Sequence, residues 1–227
     1  MVPHRWDVTP SQAIALQREL ASRVRIEPLK GGIETVAGAD CAFVGSHRTA
    51  GRVLAAAVLC DAGTLEVIAA SEVVVPCAFP YVPGLLSFRE APAIIKAVRK
   101  LPRPPDLLFI DGQGLAHPRG FGVACHVGLL LDVPTIGAAK SRLCGEHRVP
   151  GAGRGSTAPL MLEGRVVGAV VRTRSGVRPM FVSVGHRVTL EESVAWTVRC
   201  AVKSRLPQTT RLAHQFVTGM KLRGMGA

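Results

Sequence analysis

Apolar and polar positions near the start of the chain follow the period of a helix. Thr9 stands at the place of an N-cap and Pro10 at the first helical position, where its missing N–H costs nothing. One apolar stripe then recurs at helical spacing and consists of Ala13, Leu16, Leu20 and Val24. The pattern predicts a helix that packs on a sheet as a cover.

After this helix the pattern favours strands. Apolar segments lie at residues 33–44, 52–60 and 65–75 and are rich in alanine and in β-branched residues. Turn-forming residues separate them at 45–48 and 61–64. Three consecutive strands joined by tight turns predict an antiparallel meander.

The pattern changes at residues 76–83, where three prolines and two aromatic residues exclude a helix and a strand interior. Ser87 is placed to cap a helix that runs to about residue 100. We expect Glu90 in the first turn of this helix, where the helix dipole favours an acid, and Pro92 is tolerable so near the start.

The middle of the chain predicts a strand, a helix and a second strand. The apolar run at 106–110 is typical of a strand buried on both faces, and the helix extends from about residue 122 to 131. The second strand, at 135–138, leads to Lys140. Such a crossover implies that the two strands are parallel.

Beyond it, the glycine-rich segment 144–158 predicts a surface loop, and residues 165–173 and 179–184 predict two outer strands.

The chain ends with two predicted helices. Thr189, followed by two glutamates, caps a helix to about residue 204. Pro207 precedes a final helix from about 208 to 220, which carries His214, and residues 221–223 are expected to fray.

Composition adds a preference for polyanions. The 227 residues carry a formal charge of +12, from 28 Lys and Arg against 16 Asp and Glu. No linker or charge block divides the chain, so we expect residues 1–227 to form a single domain.

No apolar signal core or membrane-spanning run is visible, which predicts a soluble, cytoplasmic protein. Six cysteines without a Cys-x-x-Cys pair argue against a zinc site or a disulfide scaffold.

The candidate chemistry centres on two strands that end in acids. Asp111 follows the apolar run at 106–110 and is followed by the turn Gly112-Gln113-Gly114, and Asp40 ends a similar short strand. A basic loop at 117–120 suits a negatively charged partner. An ordinary strand capped by an Asp-Gly turn would have the same local sequence.

The order of elements indicates an α/β fold, a ribonuclease-H-like mixed sheet in which an antiparallel meander and parallel strands are flanked by helices. In such a sheet Asp40 and Asp111 would lie side by side, with Glu90 brought over them by its helix. Three carboxylates in a small volume require a cation, and oxygen ligands select Mg²⁺ or Mn²⁺. Lys140 would neutralise charge on a phosphate, and His214 would serve as an outer ligand or proton shuttle. Taken singly, each of these residues also has an ordinary structural or solvated role.

Four segments resemble the endonuclease V family of inosine-directed repair nucleases. They are VAGAD at 36–40, PYVPGLLSFRE at 80–90, DGQGLAHPRGFGVACHVGLLLDVPTIGAAKSRLCG at 111–145 and GHR at 185–187. The resemblance implies hydrolysis of the second phosphodiester bond 3′ to deoxyinosine in DNA, or to inosine in RNA, with Mg²⁺ or Mn²⁺. It leaves a 3′-hydroxyl and a 5′-phosphate.

The resemblance also implies roles for individual residues. The metal-binding acids are Asp40, Glu90 and Asp111, and Lys140 and His214 complete the catalytic set. A wedge that fills the gap left by a flipped-out nucleotide falls on Pro80, Tyr81, Val82 and Pro83, with valine in place of the family's isoleucine. The base pocket falls on Gly84, Leu86, Gly112 and Gly122, and phosphate contacts fall on His117 and Arg119.

Two other functions stay open from the sequence. A nucleic-acid binder without catalysis is disfavoured because the three acids and Lys140 are present. A nucleotide-binding enzyme that uses Gly112-Gln113-Gly114 as a phosphate loop lacks a Gly-x-Gly-x-x-Gly or Lys-Ser/Thr signature. The choice between DNA and RNA is not readable, and we expect a monomer.

Overall fold

The computed structural model describes residues 4–45 and 51–225. Its strands are β1 (Thr35–Val44), β2 (Gly51–Asp61), β3 (Val67–Cys77), β4 (Leu107–Ile110), β5 (Thr135–Ala139), β6 (Thr157–Leu162), β7 (Arg165–Val171) and β8 (Met180–His186). Its helices are α1 (Pro10–Ala21), α2 (Leu86–Arg99), α3 (Val123–Leu131), α4 (Leu190–Cys200) and α5 (Gln208–Leu222). These strands form a sheet in the order β3-β2-β1-β4-β5-β8-β7-β6.

The sheet combines both kinds of strand pairing. β1, β2 and β3 form the predicted antiparallel meander, and β1, β4 and β5 are parallel. β8 is antiparallel to both of its neighbours, β5 and β7. The predicted α/β class, with a mixed sheet flanked by helices, is confirmed.

Helices cover both faces at the centre of the sheet. Leu108 and Ile110 of β4 belong to the core beneath α2 and α3. Leu107 and Phe109 point the other way, into the core beneath α4 and α5. This alternation explains why β4 is a continuous apolar run, and it means that the chain can carry a carboxylate only where the strand leaves the core.

Capping boxes begin α1 and α4, as the sequence predicts. The Thr9 hydroxyl accepts a hydrogen bond from the backbone N–H of Gln12, whose side chain accepts one from the backbone of Thr9. Thr189 and Glu192 repeat the arrangement. The α4 helix ends at Cys200, short of the predicted residue 204.

Two predictions for α2 are wrong. Its N-cap is Leu85, which makes no side-chain capping bond, and Ser87 lies inside the helix. The Ser87 hydroxyl is hydrogen bonded to Nδ1 of the buried His126 at 3.1 Å, a tertiary partner that local sequence does not reveal. Glu90 consequently lies beyond the first turn.

Three further differences concern the second half of the chain. Strand β6 was not predicted: it forms a hairpin with β7 through Glu163 and Gly164, both at positive φ. Strands β7 and β8, both predicted to be outer strands, lie inside the sheet, because β6 forms its edge. The expected fraying at 221–223 is wrong, because α5 continues to Leu222 and Arg223 bonds Glu72 at 2.7 Å. In the predicted turn at 45–48, residues 46–48 lie outside the described residues.

None of the helices formed by residues 4–45 and 51–225 combines the length and the apolar character needed to cross a membrane.

Candidate active site

Parallel pairing of β1 and β4 brings two acids to the same edge of the sheet. Ala39 and Ile110 are register partners, so that Asp40 and Asp111 are the next residues on neighbouring strands. The backbone N–H of Asp111 donates to the carbonyl of Ala39 at 3.2 Å and extends the ladder one step beyond β4. The chain thereby fixes the two carboxylates side by side.

Glu90 reaches the same place from α2, which packs on the face of the sheet that carries Ala37 and Ala39. Burial, and next the charge of Asp40, raise the pKa of Glu90 to about 8. Burial raises the pKa of Asp40 as well, and the charge of Asp111 adds to the effect. The structure thus brings together the three acids that the sequence singled out, and we call Asp40, Glu90 and Asp111 the acid cluster.

Two cationic or polar side chains already contact the acid cluster. Lys140, which follows β5, donates from Nζ to the carboxylate of Asp111. His214 of α5 places Nδ1 at 2.7 Å from Oδ2 of Asp40. Across residues 4–45 and 51–225, no three His, Cys, Asp or Glu side chains stand in a ready metal-coordinating arrangement. The hydrogen bond with His214 and the charge of Lys140 both oppose the rise in the pKa of Asp40.

The close approach of α5 to β1 depends on a glycine. A Cβ atom at Gly38 would lie 2.2 Å from the carbonyl carbon of Thr209, in the first turn of α5. Only glycine permits this contact. The contact in turn sets the position of His214 above Asp40.

A cavity of about 370 Å³ opens beside the acid cluster. Asp111 and Lys140 form part of its wall, and the segment that follows Lys140 closes one side. All four residues predicted for the base pocket line it: Gly84, Leu86, Gly112 and Gly122. Of the predicted wedge, Tyr81, Val82 and Pro83 line the same cavity, whereas Pro80 lines the hollow behind it.

The wedge side chain Tyr81 is largely exposed, with 56% of its surface accessible. Beneath it, the guanidinium of the buried Arg89 stacks on the ring of Phe43, 3.9 Å from its centroid, and lies 5.9 Å from the centroid of Tyr81. This cation–π stack links the wedge to the end of β1.

Three side chains converge on the backbone carbonyl of Gly84, and we call Gln17, His117 and Arg119 the Gly84 bracket. The carbonyl accepts from Gln17 Nε2 at 3.0 Å, from His117 Nε2 at 3.0 Å and from Arg119 Nη2 at 2.6 Å. Arg119 Nε also donates to Gln17 Oε1 at 2.6 Å. Burial lowers the pKa of His117 to about 4, so the ring is neutral. The polar atoms of His117 and Arg119 thus hold the pocket wall, and their contact with phosphate stays a prediction.

Sequence reasoning did not single out Gln17, Arg89 or Gln113. A signal for Gln17 exists, because it lies at helical spacing from Ala13 and Leu20 and places a polar residue on the buried face of α1. A polar residue inside an apolar stripe needs a buried partner. Arg89 and Gln113 give no comparable local signal.

The donor set of the acid cluster is made of carboxylate oxygens, which suit a hard divalent cation. Burial, and next the charge of the neighbouring acid, raise the pKa of Asp40 and of Glu90, and a bound cation would favour the ionised form of both. The residues present therefore have donor atoms that fit a hard divalent cation.

Known proteins agree with this architecture. The family model for endonuclease V matches residues 18–215. The endonuclease V of Myxococcus xanthus is 49% identical over 218 residues, which are 96% of this chain and 92% of that protein. The crystal structure of the Streptomyces avermitilis endonuclease V has a TM-score of 0.91 and 45% identity, over 99% of this chain and 98% of that one.

The same fold occurs in the Ciona intestinalis endonuclease V, solved in complex with a 24mer DNA containing an inosine followed by a ribo-adenosine. That match has a TM-score of 0.79 and 22% identity, over 95% of this chain and 98% of that one. Family model, sequence relatives and fold agree over nearly the whole chain. The chain therefore belongs to the endonuclease V family of deoxyribonucleases.

Proposed function

We propose that this endonuclease hydrolyses the second phosphodiester bond on the 3′ side of deoxyinosine in DNA, or of inosine in RNA, and leaves a 3′-hydroxyl and a 5′-phosphate. The observation that carries the proposal is the position of the acid cluster beside a cavity that the wedge segment borders. A catalytic group and a recognition pocket are thereby adjacent, as cleavage near a flipped-out nucleotide requires.

Asp40, Glu90 and Asp111 would hold Mg²⁺, for which Mn²⁺ can substitute. When bound, the cation would lower the pKa of the attacking water and stabilise the charge that builds on the phosphate. The raised pKa values of Asp40 and Glu90, caused first by burial and next by the neighbouring acids, support this assignment, because a divalent ion would stabilise the ionised carboxylates.

The chain's own groups have distinct roles in this proposal. Lys140, whose ammonium lies against Asp111, would turn its charge to the phosphate once the acid has another partner. His214 is hydrogen bonded to Asp40 and half exposed, so that it can exchange a proton with solvent. Tyr81 would offer its exposed ring to the bases beside the gap.

The partner would be DNA that contains deoxyinosine, and RNA that contains inosine is the other substrate to be tested. The net charge of +12 favours a polyanion. The Ciona intestinalis endonuclease V was solved with inosine-containing DNA, which supports the same partner class here. We propose that the active form is a single domain spanning residues 1–227 and a monomer.

The test uses labelled DNA and RNA strands with one inosine, and matched strands with adenosine, incubated with Mg²⁺, Mn²⁺ or chelator. We expect a product that ends one nucleotide beyond the inosine on its 3′ side, and no product in chelator. Asp40→Asn and Asp111→Asn should lower the rate at least about a thousand-fold.

Asp7→Asn is the matched control, since Asp7 is exposed and its carboxylate is paired with Arg5 and not with a residue of the acid cluster. It should retain the rate of the parent chain. Equal cleavage of the inosine and adenosine strands would overturn the inosine specificity. Full activity in either cluster variant would overturn the assignment of the acids.

A further inference from the structure

Gln113 lies at the boundary between the acid cluster and the cavity. Its backbone is fixed, because its carbonyl accepts from the N–H of Ala124 at 3.0 Å and a Cβ on Gly122 would lie 2.2 Å from that carbonyl oxygen. Only 7% of the surface of the residue is accessible, and Gln113 lines the cavity. The position of this amide is therefore set by the fold.

The two polar atoms of the Gln113 side-chain amide differ in their hydrogen bonding. Nε2 donates to the backbone carbonyl of Ser141 at 2.9 Å, in the segment that follows Lys140. Oε1 is buried and has no hydrogen-bond partner. Three other buried side-chain atoms in the described ranges share this condition, on His186, Thr209 and Arg211, but those residues do not line this cavity. Because Nε2 is held by Ser141, the amide cannot reverse without losing that bond.

A buried acceptor without a donor is costly unless something supplies the donor. Gly84 also lines the cavity, but its carbonyl already accepts from all three side chains of the Gly84 bracket. Oε1 of Gln113 is thus a buried side-chain acceptor that lacks a donor, on a residue in the wall of this cavity.

We propose that Oε1 of Gln113 accepts a hydrogen bond from the bound nucleotide and is a specificity-determining contact. The inference rests on the function proposed above and adds a residue to its recognition pocket. Two donors on an inosine nucleotide have the required chemistry: the N1–H of hypoxanthine and the 2′-hydroxyl of ribose. Adenine carries a lone pair at N1 in place of a proton, so an acceptor facing N1 would repel it. A contact to the 2′-hydroxyl would instead favour RNA.

The test compares the parent chain with Gln113→Met, which keeps the length of the side chain and removes the acceptor. Three labelled strands, identical except for one nucleotide, carry deoxyinosine, deoxynebularine or inosine. Nebularine is the purine that lacks both N1–H and the C6 oxygen. Fluorescence anisotropy in chelator gives affinity, and single-turnover cleavage with Mg²⁺ gives the rate.

Loss of the N1–H contact predicts that Gln113→Met binds deoxyinosine about ten-fold more weakly than the parent chain, with deoxynebularine unchanged. Loss of a 2′-hydroxyl contact predicts the same weakening for inosine alone. Gln215→Met, an exposed glutamine on α5, is the control for the substitution itself. Gln113→Leu repeats the test with a different apolar shape, and thermal melts establish that each variant folds.

An equal loss on all three strands would overturn the inference, since Gln113 would then only position the segment after Lys140. Unchanged affinity for all three would overturn it as well. If the parent chain itself fails to prefer inosine over adenosine strands, the proposed function falls and the inference with it. If the parent chain is selective and Gln113→Met changes nothing, the inference alone falls.

Discussion

The acid cluster and the Gly84 bracket border the same cavity but are built in opposite ways. The cluster gathers three groups of like charge, and the pKa of Asp40 and of Glu90 is raised. The bracket gathers three donors on one backbone oxygen, and its members also bond each other. One assembly is short of positive charge, and the other satisfies its own polar groups.

The acid cluster is therefore suited to reactivity and the Gly84 bracket to rigidity. A group of repelling carboxylates costs stability in the folded chain and gains from a cation, so it is suited to chemistry. A carbonyl held from three directions cannot move, so it is suited to fixing the shape of a pocket. Substitutions in the two regions should therefore differ in their effects on catalysis and on stability.

Substitution of Glu90 should separate activity from stability most strongly. Glu90→Gln keeps the shape of the side chain and removes a carboxyl that can ionise, so we expect cleavage to fall at least about a hundred-fold. The free energy of unfolding without added metal should stay equal or rise, because the variant avoids the cost of burying an acid beside Asp40. Single-turnover cleavage and urea unfolding in chelator measure the two quantities.

The matched control is Glu163→Gln, since Glu163 is exposed in the hairpin between β6 and β7, at the edge of the sheet opposite to the meander. It should leave cleavage and stability unchanged. A marked loss of stability in Glu90→Gln would mean that Glu90 is structural, and would contradict the division between the two regions.

The two regions also differ in how far the sequence predicts them. Asp40 and Asp111 are foreseeable because a buried strand that ends in an acid is a local pattern, and parallel pairing places two such ends together. The Gly84 bracket is not foreseeable from the sequence. Its acceptor is a backbone carbonyl, and its donors come from α1 and from a loop about a hundred residues further along the chain.

The errors in the predicted fold also arise where contacts between distant residues outweigh the local pattern. The meander and the crossover depend on local periodicity and turns, and both are confirmed. Ser87 is an apparent cap whose partner is the distant His126, and β6 is a strand whose alternation is short and interrupted by Pro159. Tertiary contacts determine the role of Ser87 and the formation of β6, and no local pattern indicates these contacts.

Acid should weaken the Gly84 bracket through His117. The ordinary pKa of histidine is about 6.5, and burial lowers that of folded His117 to about 4. Below pH 6.5 His117 therefore binds a proton in the unfolded chain but not in the folded chain. The free energy of unfolding falls as a result when the pH drops from about 6.5 to about 4. The shift corresponds to about 3 kcal/mol at full effect.

Urea unfolding of the parent chain and His117→Gln between pH 7 and pH 4 measures this contribution. The difference in unfolding free energy between them should change in favour of the variant as the pH falls. His147→Gln, in the segment after β5, controls for the loss of a histidine as such. Parallel pH profiles for the parent chain and His117→Gln would contradict a neutral, buried His117.

Gly38 tests the support of the acid cluster by α5, which packs on the face of β1 that carries both Gly38 and Asp40. Gly38→Ala places a methyl group against the backbone of Thr209, so we expect a loss of about 2 kcal/mol in unfolding free energy and a displaced His214. Gly32→Ala is the matched control, because a Cβ at Gly32 meets nothing within 4 Å. Equal stability of the two variants would show that α5 adjusts freely over β1.

Gln17 gives the smallest and most selective expected effect. Gln17→Met removes the donor to the carbonyls of Gly84 and Phe121 and the acceptor of Arg119, but leaves His117 and Arg119 on Gly84. We expect a loss of about 1 kcal/mol in stability and a several-fold weaker affinity for an inosine strand. The rate of the bound complex should be nearly unchanged, because the acid cluster is untouched. Ser11→Ala, exposed on the same helix, should alter neither quantity. A fall in the rate of the bound complex, with affinity intact, would place Gln17 in the chemistry and would show that the two regions are coupled through the cavity that they share.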